Sequence, residues 1–182
     1  GEVNVLIAEE FSRAASGGVG FAKAAGNYAA QFYPTALAQK EGYQQIVWTD
    51  ASTHEYLEEA GTMNIFFRIN DKLITAPNND RILDGITRKS IIQIAKDNDI
   101  DIEVRPIKVS EVVEASKKGT LLEMFGSGTA VVVSPIKSFG YQGVNYKLPV
   151  IENPLSTLLK EKITSIQYNL SEDPHGWRLA VD

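Results

Sequence analysis

Short apolar segments joined by tight turns run through the middle of this chain and limit the folds open to it. Thr62–Ile69 reads as an apolar strand, Asn70 and Asp71 form a turn, and Lys72–Thr75 returns as a second strand. A hairpin of this kind joins antiparallel neighbours, whereas a parallel pair needs a long crossover connection. Because predicted strands outnumber predicted helices, we expect an α+β domain with a mixed, strongly curved sheet.

The remaining elements follow from periodicity and from capping residues. Asn27 is predicted to cap a helix that runs to about Gly42, with a kink at Pro34. Ser110 is predicted to cap a second helix, which ends at Gly119. The other predicted strands are 3–8, 45–49, 101–108, 121–125 and 130–134, and the other predicted helices are 87–96 and 153–168.

Composition excludes several kinds of site. A net charge of −5 without a cluster of basic residues argues against nucleic-acid binding. The chain has no cysteine, and His54 and His175 stand far apart in polar surroundings, so we predict no metal site. No segment approaches the roughly 20 apolar residues of a membrane helix, so we expect no membrane span and a cytoplasmic protein. Because the first methionine is Met63, we expect the chain to be a piece of a longer polypeptide.

Residues 17–28 surround one lysine, Lys23, with glycine and other small residues. Small neighbours would let a flat ring approach the amine closely, and Tyr28 could place a phenol beside it. An amine nucleophile in such surroundings suits Schiff-base chemistry. For this segment alone, a glycine-rich surface turn with a solvated lysine is the simpler interpretation.

A possible phosphate site lies in residues 83–88, where a glycine precedes a predicted helix. The first amides of a helix lack internal partners, so the Ile86 and Thr87 amides, with the Thr87 hydroxyl, could hold a phosphate. An ordinary helix capped by Asp84 or Thr87 is the alternative.

A second anion pocket is suggested by residues 125–130, which place two glycines and two hydroxyls between two strands. Backbone amides there, chiefly those of Thr129 and Ala130, could converge on an anion. A plain turn between strands explains the same composition.

Glu59 stands at the start of an apolar strand, where a carboxylate is costly unless it finds a cation. A protonated ring nitrogen of a cofactor would serve, and so would a structural arginine, which position alone slightly favours. Taken together, an amine, a phenol, a carboxylate and two anion cups are the parts that a pyridoxal phosphate site requires.

With these residues identified, the chain resembles the large, C-terminal domain of branched-chain amino acid aminotransferases, which are fold-type-IV pyridoxal phosphate enzymes. The resemblance implies an α+β large domain over 1–182, with a mixed curved sheet that forms a pseudo-barrel and carries flanking helices. Six segments in the same order carry it: GGVGFAKAAGNY (17–28), VWTD (47–50), EEAGTMNIFF (58–67), ILDGITR (82–88), EMFGSGTA (123–130) and IQY (166–168).

The resemblance also implies a role for each candidate residue. Lys23 matches the lysine that holds the cofactor as a Schiff base and moves the proton at the substrate α-carbon. Tyr28 matches the partner of the ring hydroxyl, and Glu59 matches the carboxylate that keeps the ring nitrogen protonated. The remaining matches are Ile86 and Thr87 for the phosphate-binding amides, Thr129 for a further phosphate ligand, and Thr129 with Ala130 for the turn that receives the substrate carboxylate.

Three points qualify these implied roles. Arg13 lies in a matching Arg-Ala pair, but neither the residues nor the resemblance gives it a role. Val131 and Ser134 stand where some family members carry a redox-sensitive cysteine pair. The family's N-terminal small domain, which supplies an arginine to the cofactor phosphate and helps to complete a homodimeric site, has no counterpart in this chain.

The activity implied is transfer of an amino group from leucine, isoleucine or valine to 2-oxoglutarate. The piece alone is expected to be poorly active, because the small domain would position the substrate and exclude water. Other fold-type-IV enzymes, a D-amino acid aminotransferase or an aminodeoxychorismate lyase, are alternatives that the match at 58–67 disfavours. A non-catalytic assembly domain is the alternative from another class.

Overall fold

A computed structural model describes residues 3–181, in which strands and helices form one sheet with helices on its flanks. The strands are β1 (Val3–Ile7), β2 (Gln45–Thr49), β3 (Leu57–Ala60), β4 (Met63–Ile69), β5 (Lys72–Thr75), β6 (Ile102–Val104), β7 (Leu121–Gly128), β8 (Val132–Tyr141) and β9 (Val144–Lys147). The helices are α1 (Ala25–Ala29), α2 (Phe32–Lys40), α3 (Ile86–Asp97), α4 (Val109–Lys117) and α5 (Leu155–Gln167).

The sheet is mixed and closes on itself. Its order is β3-β2-β1-β8-β7-β4-β5-β6, with β9 paired to β8. β1 is parallel to both β2 and β8, whereas β7 is antiparallel to β4 and β8. An additional pairing of β3 with β4 closes the path from β3 through β2, β1, β8 and β7 to β4 into a barrel. The predicted α+β fold with a curved, mixed sheet is confirmed.

The two sides of β4 and β7 pack against different helices. Ile65 and Phe67 belong to a core cluster shared with α4, whereas Phe66 belongs to a second cluster shared with α3 and α5. Phe66 stacks on Phe125 of β7 with 5.1 Å between ring centroids, while Met124 lies in the first cluster. Since alternate residues of a strand point to opposite faces, we call these sides the α4 face and the α3/α5 face.

The predicted hairpin is confirmed in detail. β4 and β5 pair antiparallel with Ile69 opposite Lys72, and Asn70 adopts a φ of 52°, which asparagine tolerates in a turn. The helices predicted at 87–96 and 153–168 correspond to α3 and α5. Among residues 3–181, no helix combines the length and the apolar character that crossing a bilayer demands.

The helix predicted from Asn27 to Gly42 is wrong in its start. Asn27 lies inside the short helix α1, and its side chain donates hydrogen bonds of 2.8 Å to the carbonyls of Val19 and Ala22. Helix α1 ends at Ala29, and the separate helix α2 begins at Phe32. Pro34 sits in the first turn of α2, where a missing N–H leaves no hydrogen bond unmade, so it does not kink the helix interior.

Several other boundaries differ from the prediction, and the strands predicted at 121–125 and 130–134 are longer, since β7 ends at Gly128 and β8 runs from Val132 to Tyr141. Ser110 does not cap α4, because the N-cap is Lys108, without a side-chain hydrogen bond, and Ser110 lies within the first turn. The strand predicted at 101–108 is reduced to β6, which ends before Pro106. Proline cannot donate a hydrogen bond to a neighbouring strand, which accounts for the early end.

Candidate active site

A cleft of about 1120 Å³ opens where residues 17–28, which we call the Lys23 loop, meet the ends of β4, β7 and β8. Lys23, Tyr28, Thr129 and Ala130 all line it. The structure therefore brings the predicted amine, the predicted phenol and the predicted substrate-carboxylate turn to one cavity. Lys160 of α5 lines the same cleft and is its second lysine.

The Lys23 loop is held close to the segment that leads into α3. The Phe21 amide donates a 3.1 Å hydrogen bond to the Asp80 carbonyl. At Gly20 the backbone approaches Arg81 so closely that a Cβ would lie 2.7 Å from the Arg81 Cα, so only glycine fits there. Lys23 itself is exposed, which leaves its amine free to react at the cleft.

The turn between β7 and β8 carries a strained residue beside the predicted substrate-carboxylate cup. Gly128 pairs with Val132, and the exposed residues Thr129 and Ala130 lie between them. Val132 has a φ of 57°, a conformation that β-branched residues rarely adopt. Strain of this kind concentrates at ligand-binding turns.

Glu59 is 3% exposed and fully engaged in contacts. Its Oε2 lies 2.5 Å from Nη2 of Arg13, whose side chain is also buried. Its Oε1 accepts hydrogen bonds from the Asn64 Nδ2 at 3.2 Å and from the Leu83 amide at 3.1 Å. Burial outweighs the attraction of Arg13 and raises the pKa of Glu59 to about 7. The cation predicted beside Glu59 is thus an arginine, Arg13. The contact of Glu59 with a ring nitrogen stays a prediction.

The start of α3 is open for an anion. Its N-cap is Gly85 and makes no side-chain capping hydrogen bond, so neither Asp84 nor Thr87 caps the helix. Asp84 instead pairs with Lys89. Within residues 3–181, no carbonyl or side chain accepts a hydrogen bond from the amides of Ile86 or Thr87. These amides, at the positive end of a 12-residue helix, are suited to bind a phosphate.

Asn64 joins Glu59 to the start of α3. It is paired with Glu59 across β3 and β4 and with Ser127 across β4 and β7, so all three side chains share the α3/α5 face. A Cβ on Gly85 would lie 2.1 Å from the Asn64 Oδ1, which shows how closely the helix start packs against this asparagine. Glu59, Ile86 and Thr87 are not among the residues that line the Lys23 cleft.

Thr129 lies in the turn after β7, two residues beyond Ser127, and it lines the Lys23 cleft. Ser127 is 1% exposed, and its Oγ finds no hydrogen-bond partner among residues 3–181. A buried hydroxyl without a partner is unusual and points to a missing polar group nearby. Together with the uncapped start of α3, it makes these residues suited to a ligand that carries a phosphate, as pyridoxal phosphate does.

Several residues of this arrangement were not found from the sequence. Arg13 was noticed but given no role, and the pairing of Arg81 with Glu58 at 2.5 Å was not predicted. Asn64 and Ser127 lie in motifs that were identified, but neither was singled out. A buried arginine looks like a solvated one in sequence, and the only signal was the apolar segment after Glu59, which indicated that this carboxylate needs a cation.

Comparison with known proteins places this site in a family. Residues 18–139 match the family model described as Amino-transferase class IV. A "Probable branched-chain-amino-acid aminotransferase" of Staphylococcus aureus (strain N315) is 44% identical over 181 residues, which are 97% of this chain and 50% of that protein. The chain thus spans about half the length of the curated relatives it matches.

Solved structures agree in fold. The branched-chain amino acid aminotransferase from Escherichia coli superposes with a TM-score of 0.80 at 25% identity, over 97% of this chain and 56% of that one. An aminotransferase from Brucella abortus, bound to the co-factor PLP (pyridoxal phosphate), has a TM-score of 0.75 at 20% identity, over 92% of this chain and 55% of that one. Since the family model matches more than half of the residues, the chain belongs to the class IV amino-transferase family.

Proposed function

We propose that this chain is the cofactor-binding large domain of a branched-chain amino acid aminotransferase and that it binds pyridoxal phosphate through Lys23. The observation that carries the proposal is the cleft that Lys23 shares with Tyr28, Thr129 and Ala130. The names of the relatives and the cofactor bound in the Brucella abortus structure support it. Because the relatives are about twice as long, the use of leucine, isoleucine or valine with 2-oxoglutarate is proposed for the whole protein.

Lys23, Tyr28 and Glu59 each have a chemical task in this proposal. When bound, pyridoxal phosphate supplies an aldehyde that links to amines and a ring that withdraws electrons from the substrate α-carbon. The Lys23 amine provides the attachment point and then carries a proton to and from that carbon. Tyr28 donates a hydrogen bond to the ring hydroxyl. Glu59 would accept a hydrogen bond from the protonated ring nitrogen, and the ion pair with Arg13 favours the charged carboxylate that this role needs.

The anion-binding groups orient the cofactor and the substrate. The amides of Ile86 and Thr87 bind the phosphate at the start of α3, and Thr129 adds a further ligand. The amides of the Thr129–Ala130 turn receive the carboxylate of the amino acid. Holding the cofactor by its phosphate and the substrate by its carboxylate would bring the substrate α-carbon to the amine of Lys23, which lowers the entropic cost of the reaction.

Two further parts of the proposal concern the whole protein. A small domain outside this chain closes the cleft, contributes an arginine to the phosphate and surrounds the substrate side chain. The full-length protein is a homodimer in the cytoplasm, with amino acids and 2-oxo acids as its small-molecule partners. The chain alone is therefore expected to bind the cofactor and to turn over substrate slowly.

Chemical trapping tests the attachment point. The chain is mixed with pyridoxal phosphate, reduced with borohydride, digested and mapped by mass spectrometry. We expect the modification on Lys23 and its loss in Lys23→Ala. Lys160→Ala is the matched control, because Lys160 lines the same cleft. A modification that maps to Lys160, or that survives Lys23→Ala unchanged, contradicts the proposal.

Two measurements separate the alternatives. For the full-length protein, turnover of L-leucine with 2-oxoglutarate supports the proposal, whereas turnover of D-alanine supports another enzyme of the same fold. For the chain alone, pyridoxal phosphate at 100 times its dissociation constant should raise the unfolding free energy by about 2.7 kcal/mol. A non-catalytic assembly domain predicts no change in melting temperature.

A further inference from the structure

Arg13 is buried at the meeting point of three parts of the candidate site. Its guanidinium forms the ion pair with Glu59 of β3. The same group donates a 3.0 Å hydrogen bond to the carbonyl of Gly20 in the Lys23 loop and another to the carbonyl of Arg81, which precedes α3. No other side chain described here contacts Glu59, the Lys23 loop and the approach to α3 at once.

We propose that Arg13 is a positioning residue, which aims the Glu59 carboxylate while it ties the Lys23 loop and the approach to α3 to that carboxylate. This inference rests on the proposed function, in which Glu59 faces the ring nitrogen of the cofactor. Arg13 acts through Glu59 and through two carbonyls, so we do not place it in contact with the cofactor.

The geometry favours positioning over a plain structural clamp. All three contacts are made by one terminal nitrogen of Arg13, Nη2, so the carboxylate of Glu59 and the carbonyls of Gly20 and Arg81 converge on a single point. Arg81 forms the neighbouring ion pair, with Glu58, and its side chain is more exposed than that of Arg13. If arginine were needed only to neutralise buried charge, both pairs would be equivalent. Only Arg13, however, is bonded to the carboxylate that shares a face with Asn64 and the start of α3.

The charged groups around Glu59 set what Arg13 must do. Arg13 faces it from the segment before the Lys23 loop, Glu58 adjoins it on β3, and Asn64 and the Leu83 amide complete its contacts. Burial and Glu58 raise the pKa of Glu59, whereas Arg13 and the Leu83 amide lower it. Arg13 is therefore the group that most strongly opposes the rise in the pKa of Glu59.

The test follows Glu59 directly, without relying on activity. Carboxyl carbon-13 resonances are titrated in the chain without added cofactor, and Glu59 is assigned by its loss in Glu59→Gln. We expect Arg13→Gln to move the Glu59 titration upward by about one pH unit or more. Arg13→Lys keeps the charge and should restore part of the shift. Arg81→Gln is the matched control, and it should leave the Glu59 titration in place.

Cofactor affinity is the second readout. Arg13→Gln should weaken pyridoxal phosphate binding about tenfold or more, whereas Arg81→Gln should weaken it much less. If both variants move the Glu59 titration and the affinity equally, or if Arg13→Gln moves neither, Arg13 is a structural clamp and the inference fails alone. If the unsubstituted chain takes up no cofactor on Lys23, the proposed function fails and this inference falls with it.

Discussion

Replacing Glu59 with glutamine should stabilise the chain at pH 8 when no cofactor is added. Two effects oppose each other at this residue: the ion pair with Arg13 favours the charged carboxylate, and burial disfavours it. Burial wins, because the pKa of Glu59 rises from 4.5 to about 7. The folded protein therefore holds the Glu59 proton more tightly than the unfolded chain does.

The difference between the folded and unfolded pKa of Glu59 sets the sign and the size of the change in unfolding free energy. A carboxyl group whose pKa is raised by folding contributes stability that is complete below the unfolded pKa and is lost as the pH rises through the folded value. With values of 4.5 and about 7, ionised Glu59 costs about 3 kcal/mol at pH 8 and about 1 kcal/mol at pH 5. Glutamine mimics the neutral acid, so Glu59→Gln should recover these amounts.

Urea denaturation at pH 5, 6, 7 and 8 measures the effect, with pyridoxal phosphate excluded from the buffers. The gap in unfolding free energy between Glu59→Gln and the unsubstituted chain should widen by about 2 to 3 kcal/mol from pH 5 to pH 8. Glu161→Gln, on the exposed side of α5, is the control and should show no such trend. A Glu59→Gln chain that is less stable at pH 8 would mean that the Arg13 ion pair outweighs burial, and the reasoning would be wrong.

Two further substitutions probe the frame around the site. Gly85→Ala should cost about 1 to 3 kcal/mol in urea denaturation, because its Cβ would collide with the Asn64 Oδ1, whereas Gly26→Ala, which meets nothing within 4 Å, should cost nothing. Glu123→Gln should cost a similar amount and increase hydrogen exchange at the start of α5, because Glu123 accepts bonds of 3.0 and 2.7 Å from the Ser156 amide and hydroxyl. Protection at α5 that does not change would show that this carboxylate is dispensable.

Local patterns allowed much of the fold and part of the site to be predicted. The β4–β5 hairpin, α3 and α5 each depend on short-range signals, a turn between apolar segments or an apolar helical face. The Lys23 loop and the Thr129–Ala130 turn were found as glycine-rich motifs, and the structure places both at one cleft. These features needed no knowledge of which distant segments meet.

Features that depend on distant contacts could not be predicted from the sequence. Asn27 has the residue type of a helix cap, but its side chain instead bonds back to Val19 and Ala22 in the Lys23 loop. The demand for a cation at Glu59 was clear from its apolar surroundings, yet nothing local identified Arg13 as that cation. Closure of the sheet through β3 and β4 decides which residues share the face with Glu59, and closure is a property of the whole barrel.

The energetic cost of Glu59 bears on its purpose. A domain that served only assembly would gain stability from a neutral residue at this position, since burial raises the pKa of Glu59 and makes its ionised form costly above pH 7. Stability is commonly given up where a residue is needed for activity. The chain instead keeps the carboxylate, surrounds it with Arg13 and Asn64, and sets it beside an uncapped helix start. A carboxyl group kept at such expense is best explained by a ligand that needs its charge, and a protonated pyridine nitrogen has that requirement.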